Sequence, residues 1–125
     1  MKIIDVITQV DNLKPNQYSI EEKINWLSEI ELKIKNEIID THEKINDKLD
    51  KFTQYTEDDI EKDLAVEEPY SVLYVRYLSM MVDYYNAEFT RYNNSSVMFN
   101  LAYNDYANYY NRKYKSIKKY KYKVF

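Results

Sequence analysis

The chain has no cysteine and no glycine, and only two prolines and one histidine among its 125 residues. Without cysteine there can be no disulfide, no thiol nucleophile and no sulfur-ligated metal site. A single imidazole excludes any site that needs two. Without glycine there is no glycine-rich loop to cradle a phosphate, and the left-handed position that often ends a helix must fall to another residue, of which asparagine is the usual substitute. No apolar run approaches the ~20 residues of a membrane span and no stretch resembles a signal peptide, so synthesis in the cytoplasm is expected.

What the chain has in excess is tyrosine, with 15 copies, and a lopsided charge. Residues 1–68 carry nine lysines against eighteen acids, whereas residues 69–125 carry nine basic residues against three acids. Such asymmetry points to contact between copies or with charged partners more than to catalysis. At this length one domain is expected, burying roughly two thirds of its unfolded surface.

Helical spacing dominates. Ile3, Val6, Ile7, Val10 and Leu13 give a short amphipathic helix that stops before Lys14-Pro15. Ser19 followed by Glu22 is a capping box for a second helix, predicted to reach about Asp40, with a stripe of Ile20, Ile24, Leu27, Ile30 or Glu31, Ile34 and Ile38. Ile45, Leu49 and Phe52 suit a third short helix or a continuation of the second. Between Phe52 and Glu68 the pattern is least regular: Thr56 can cap one turn, Leu64-Ala65-Val66 reads as a short strand, and Pro69 suits the first turn of the next helix.

Tyr70 to Asn111 reads as a tyrosine-loaded helical hairpin joined at Asn93-Asn94-Ser95, with one unbroken helix through Asn93 as the alternative. Its first helix carries two apolar stripes, Leu73, Tyr77, Met80, Tyr84, Ala87 and Tyr74, Leu78, Met81, Tyr85, Phe89, Tyr92. A helix apolar on most faces needs cover on more than one side, and so small a chain has little to spare. The second stripe, Tyr74 to Tyr92, is therefore assigned to contact with another copy, tyrosine being well suited to interfaces. The last helix has Phe99, Ala102, Tyr103, Tyr106 and Tyr110 on one face and Asn100, Asn104, Asp105, Asn108 and Asn111 on the other. The fold class that follows is all-α, a bundle of four to five helices over residues 1–111 with an extended tail over 112–125.

That tail has seven basic residues and no acid. Lys119, Lys121 and Lys123 alternate with Tyr120, Tyr122 and Val124 before Phe125, the period of a strand. Arg112, Lys113 and Tyr114 open it. Three readings stand: a solubilising end, contact with DNA by phosphate neutralisation and base stacking, and docking on a partner by strand addition, which is preferred.

Sites for chemistry are scarce. His42, beside Asp40, Thr41 and Glu43, reads as a partly exposed histidine at a helix end. Glu57-Asp58-Asp59 with Glu61 and Asp63 lacks the alternating ligands and turn glycine of an EF-hand and reads as a solvated loop. Neither Asp83 with Glu88 nor Glu29 with Glu31 shares a helix face in the manner of a catalytic pair. No catalytic residue, metal or cofactor is assigned, and no enzymatic activity is expected.

Three stretches carry a resemblance. They are Gln9-Val10-Asp11-Asn12-Leu13-Lys14-Pro15-Asn16-Gln17-Tyr18-Ser19, running on to Lys23 and Trp26-Leu27-Ser28-Glu29; Glu68-Pro69-Tyr70-Ser71-Val72-Leu73-Tyr74; and Asp83-Tyr84-Tyr85-Asn86-Ala87-Glu88 with Tyr92-Asn93-Asn94-Ser95 and Phe99-Asn100-Leu101-Ala102-Tyr103. In pattern and order, over about residues 5 to 111, the chain resembles the head–tail connector (adaptor) proteins of tailed bacteriophages. It departs from them in the Lys- and Asp-rich stretch Asp40 to Lys51 and in the long basic tail. The resemblance implies a helical subunit of a ring, usually dodecameric, in the neck of a virion assembled in the host cytoplasm. The portal would sit above it, a stopper or tail-completion protein below, and DNA would pass through the channel without sequence-specific binding or membrane contact. A different class, a small helical nucleic-acid-binding regulator using its basic tail, is the alternative.

Overall fold

A computed structural model describes residues 1–42, 49 and 51–114. Four α-helices, α1 (Ile3–Leu13), α2 (Ile20–Glu37), α3 (Val72–Tyr85) and α4 (Phe89–Lys113), are accompanied by two 3-10 turns, Ile39–Thr41 and Glu57–Asp59. No helix among the described residues is long and apolar enough to cross a membrane. The all-α class is as the sequence predicts; the proposed third helix around Ile45 lies mostly outside the described residues.

α1 buries Ile3, Val6, Ile7 and Val10 and ends before Pro15 as expected. Its first-turn N–H groups, which no helix can satisfy internally, donate to the loop that precedes α3. Ile3 N–H reaches the Lys62 carbonyl at 3.0 Å and Ile4 N–H the Ile60 carbonyl at 2.9 Å, while Leu64 N–H donates to the Met1 carbonyl at 2.9 Å. α2 opens on the Ser19–Glu22 capping box. It stops being α-helical at Glu37, short of Asp40, because the chain tightens into the Ile39–Thr41 turn, which keeps Ile38 and Ile39 buried.

The stripe of α2 contains a surprise. Ile30 and Glu31 are both fully buried. The Glu31 carboxylate accepts hydrogen bonds from the Tyr55 hydroxyl at 2.7 Å, the Ala65 N–H at 3.1 Å and the Tyr74 hydroxyl. Tyr74 in turn accepts from Val66 N–H at 3.0 Å. Leu64-Ala65-Val66 is therefore no strand: Ala65 and Val66 give their N–H groups to side chains, and the ladder contact beside them is an isolated antiparallel bridge between Lys2 and Asp63. Thr56 does cap one turn, with Asp59 accepting from its N–H at 2.8 Å. Pro69 sits, with a cis peptide, in the turn before α3 rather than inside the helix, and α3 begins at Val72.

The hairpin is displaced from its predicted position. α4 runs unbroken through Asn93-Asn94-Ser95, and the chain reverses at Asn86-Ala87-Glu88 instead. Ala87 takes φ 57°, the left-handed conformation. Asn86, Ala87 and Glu88 N–H groups close the helix end onto the Val82, Tyr84 and Asp83 carbonyls at 3.0–3.1 Å. A left-handed alanine costs about 1–2 kcal/mol. Here that cost is offset by the fixed surroundings, since Asn86 accepts from the Tyr18 hydroxyl at 2.7 Å and the buried Asp83 binds Lys14 at 2.8 Å and Ser95. Antiparallel packing then pairs Tyr84 with Tyr92, Tyr77 with Phe99 and Tyr70 with Tyr106.

α3 is the central helix. It packs on α4, α1 and α2 of its own chain, so the second cover that its composition demands comes from within the subunit. Tyr74 and Leu78, predicted to meet another copy, are completely buried in this core. α4 extends through Arg112 and Lys113, two residues into the predicted tail.

Truncating Glu31 leaves two tyrosine hydroxyls and the Ala65 N–H without their acceptor. At about 1–3 kcal/mol for each orphaned buried donor, Glu31→Ala is expected to lower the unfolding free energy by about 3 kcal/mol or more, with Glu31→Gln intermediate. Urea unfolding followed by circular dichroism measures this; a loss of under about 1 kcal/mol would contradict the role of the carboxylate.

Candidate interaction surface

The tyrosines divide into those that knit the subunit and those that reach its surface. Several of the former donate to carboxylates of the acidic half: Tyr103 to Glu37 at 2.7 Å, Tyr109 to Glu67 at 3.1 Å, and Tyr55 and Tyr74 to Glu31. The Tyr103 bond, with the Lys33 contact after it, holds the Glu37 carboxyl below its usual range. Burial, followed by the charge of Glu31, pushes Tyr55 and Tyr74 well above the usual phenol value. Burial also raises Tyr103, Tyr106 and Tyr77, the last to about 12.

At the α3–α4 turn the rings form a continuous cluster. Trp26 stacks on Tyr85 at 5.5 Å with 6° between planes, Tyr18 meets Trp26 edge-on at 5.4 Å, and Tyr84 bridges Tyr85 and Tyr92. Of the stripe assigned to subunit contact, Tyr85 (53% exposed) and Phe89 (67%) reach solvent, Met81 and Tyr92 do so in part, and Tyr74 and Leu78 do not. The surface part of that stripe is thus its C-terminal end alone.

A second apolar surface was not anticipated. On the outer side of α4, Val97 and Leu101, each 58% exposed, stand one turn apart with Met98 beside them. Met98 and Arg76 together line two adjoining hollows. One, of about 480 Å³, lies between α1, α3 and α4 and is walled also by Leu13, Lys14, Asp83 and Arg91; the other, of about 290 Å³, includes Val72, Leu101 and Asp105. The shared residues make them one groove along the hairpin. Within it Lys14 is paired with Asp83 at 2.8 Å and Arg91 with Glu88 at 2.9 Å. The half-buried Arg76 makes no hydrogen bond or ion pair among the described residues.

The other sequence candidates are settled by their surroundings. His42 is buried, not partly exposed: Nδ1 lies 2.6 Å from the Ile38 carbonyl, Nε2 lies 2.7 Å from Asn111 Oδ1, and the ring packs edge-on against Tyr110. It fastens the end of α2 to the end of α4. The acidic loop is solvent-facing, with Asp59 paired to Lys62 at 2.8 Å, which lowers its pKa, and Glu61 to Lys2 at 3.4 Å. No group of three potential metal ligands gathers among the described residues. Asp83 and Glu88 are each held by a cation, and Glu31 is sealed in the core while Glu29 faces outward, so neither pair converges on one point. Of the tail, Arg112 and Lys113 form the last turn of α4 and Tyr114 caps it. Lys113 Nζ donates to the Tyr109 hydroxyl at 2.9 Å and lies 3.5 Å from Glu67. Lys119, Tyr120, Lys121, Tyr122, Lys123, Val124 and Phe125 lie outside the described residues.

Comparison with protein-family models, with curated proteins and with solved structures gives no match for this chain.

The raised tyrosines set an alkaline limit. A phenol whose folded pKa exceeds its unfolded value stabilises fully below about pH 10, and that stability drains away as pH rises toward the folded value. Unfolding free energy is therefore expected to hold to about pH 10 and fall beyond it, with ultraviolet absorbance showing several tyrosines that ionise only as the chain unfolds. Tyrosines that all titrate near pH 10 in the folded protein would contradict the buried hydroxyl bonds.

Proposed function

We propose that this chain is a structural subunit of a bacteriophage neck, an adaptor that assembles into a ring between the portal and the tail and leaves a channel for DNA. One observation carries the reading furthest: a small helical domain whose core is already complete still displays an apolar ridge and groove on its hairpin. Val97, Met98 and Leu101 stand in solvent beside a half-buried guanidinium that pairs with none of the described residues, an arrangement that suits a surface awaiting a protein partner. The resemblance of residues 5 to 111 to head–tail connectors supplies the identity of the assembly, and the basic, aromatic residues 112–125 supply a segment suited to capturing the portal. The work is geometric, with no reaction assigned.

Native mass spectrometry of the purified chain, alone and mixed with purified portal protein, is expected to reveal ring-sized oligomers bound to portal. A strict monomer that never associates with portal rings overturns the reading. Deleting Lys118 to Phe125 should leave thermal unfolding unchanged while abolishing attachment. Loss of folding would place the segment in the core, and unchanged attachment would show it to be dispensable.

A further inference from the structure

Among the described residues several charged side chains make no hydrogen bond or ion pair, and two of them stand out on opposite flanks of α4: Arg76 because it is half-buried in a groove, and Glu29 because it lies beside the Tyr77 contact. On one flank is Arg76, in the groove with Leu13 and Met98. On the other is Glu29, on the outward face of α2. Glu29 makes no hydrogen bond or ion pair among the described residues, and partial burial of its carboxyl raises its pKa. The two flanks follow from consecutive residues, since one helical step turns the side chain by about 100°. Arg76 and Met98 face the α1 side. The next residues, Tyr77 and Phe99, meet each other at 5.2 Å on the α2 side, where the charge of Glu29 is felt by the Tyr77 hydroxyl.

The cation on one flank and the anion on the other form no pair with each other within one chain. They are complementary between chains placed side by side. We propose that copies of this protein associate head to tail through the flanks of α4, with Glu29 of one copy entering the groove of the next to pair with Arg76. The pairing rests on the ring-forming reading given above and names its contact. Its chemistry is specific. A guanidinium presents a planar fork that suits a carboxylate, and the apolar ridge of Val97, Met98 and Leu101 can shield the pair from water, which strengthens it. Because the two surfaces differ, the contact is heterologous, the type that generates a ring when its rotation closes.

Charge reversal tests this in the intact chain. Sedimentation velocity over a range of concentrations, without and with portal, is compared for the wild type, Arg76→Glu, Glu29→Arg, the double variant, and an equimolar mixture of the single variants, each checked for unchanged thermal unfolding. Each single variant is expected to weaken self-association about tenfold or more. The double variant and the mixture should both recover it, since every contact then again joins opposite charges. Wild-type oligomers that tolerate both single reversals, or single losses that neither combination rescues, overturn this contact and leave the ring reading standing. A wild type that is monomeric under every condition overturns both.

Discussion

The carboxylate of Glu31 holds a chain with no regular structure between Phe52 and Val72, apart from one short turn, against a helical core. A charge with no exposure is tolerable only if its oxygens are fully engaged. Here the engagement draws on three parts of the chain at once: Tyr55 before the acidic turn, Ala65 after it, and Tyr74 inside α3. Tyr55 N–H also bonds to Ser28 Oγ, one helical turn before Glu31. A segment too irregular to satisfy its own backbone is thus sewn to α2 and α3 through side chains. The same segment supplies the carbonyls that finish the start of α1. Remove the carboxylate and α1, the irregular segment and α3 all lose part of their reference.

This arrangement also accounts for much of the tyrosine. A phenylalanine would fill the same volume but would leave the acids of residues 1–68 to water. The hydroxyl turns each contact between the halves into an aromatic surface ending in a donor aimed at a carboxylate, as in Tyr74 to Glu31, Tyr103 to Glu37 and Tyr109 to Glu67. The buried Lys23 and the half-buried Lys14 are matched too, to Asp11 at 2.7 Å and to Asp83 at 2.8 Å. The acids of residues 1–68 are thus partly engaged inside the subunit by neutral donors, and the charge imbalance between the halves persists.

Legibility in the sequence followed the range of the interaction. Local devices were readable: the Ser19–Glu22 box, the Thr56 turn, the stop before Pro15, and the α4 stripe with its asparagine-rich opposite face. Features decided by distant partners were not. Asn93-Asn94 looked like a break because asparagine tolerates left-handed geometry, yet both lie on the exposed side of a continuous helix, and the reversal falls at Ala87 where Tyr18 and Lys14, some seventy residues earlier, fix the corner. His42 looked exposed because its partner, Asn111, lies 69 residues away. The doubly apolar helix does need more than one cover, as its composition implies, but the covers are α1, α2 and α4 of its own subunit and not another copy, an outcome set by topology. The groove around Arg76 left no trace in periodicity, since its walls come from three helices.

The order of these attachments bears on how the chain comes into being. α3 and α4 are neighbours in sequence and can zip together from a three-residue corner, whereas the bonds of α1 and α2 to the rest span as many as 69 residues. Contacts so distant form slowly, and on the ribosome the N-terminal helices emerge well before anything exists for them to rest on. A waiting helix with an unbroken apolar stripe would invite aggregation. Glu31 interrupts that stripe with a charge for as long as Tyr55 and Tyr74 are missing. The residue that anchors the finished core thus carries a charge on the unfinished one, and its burial requires that the two halves have met.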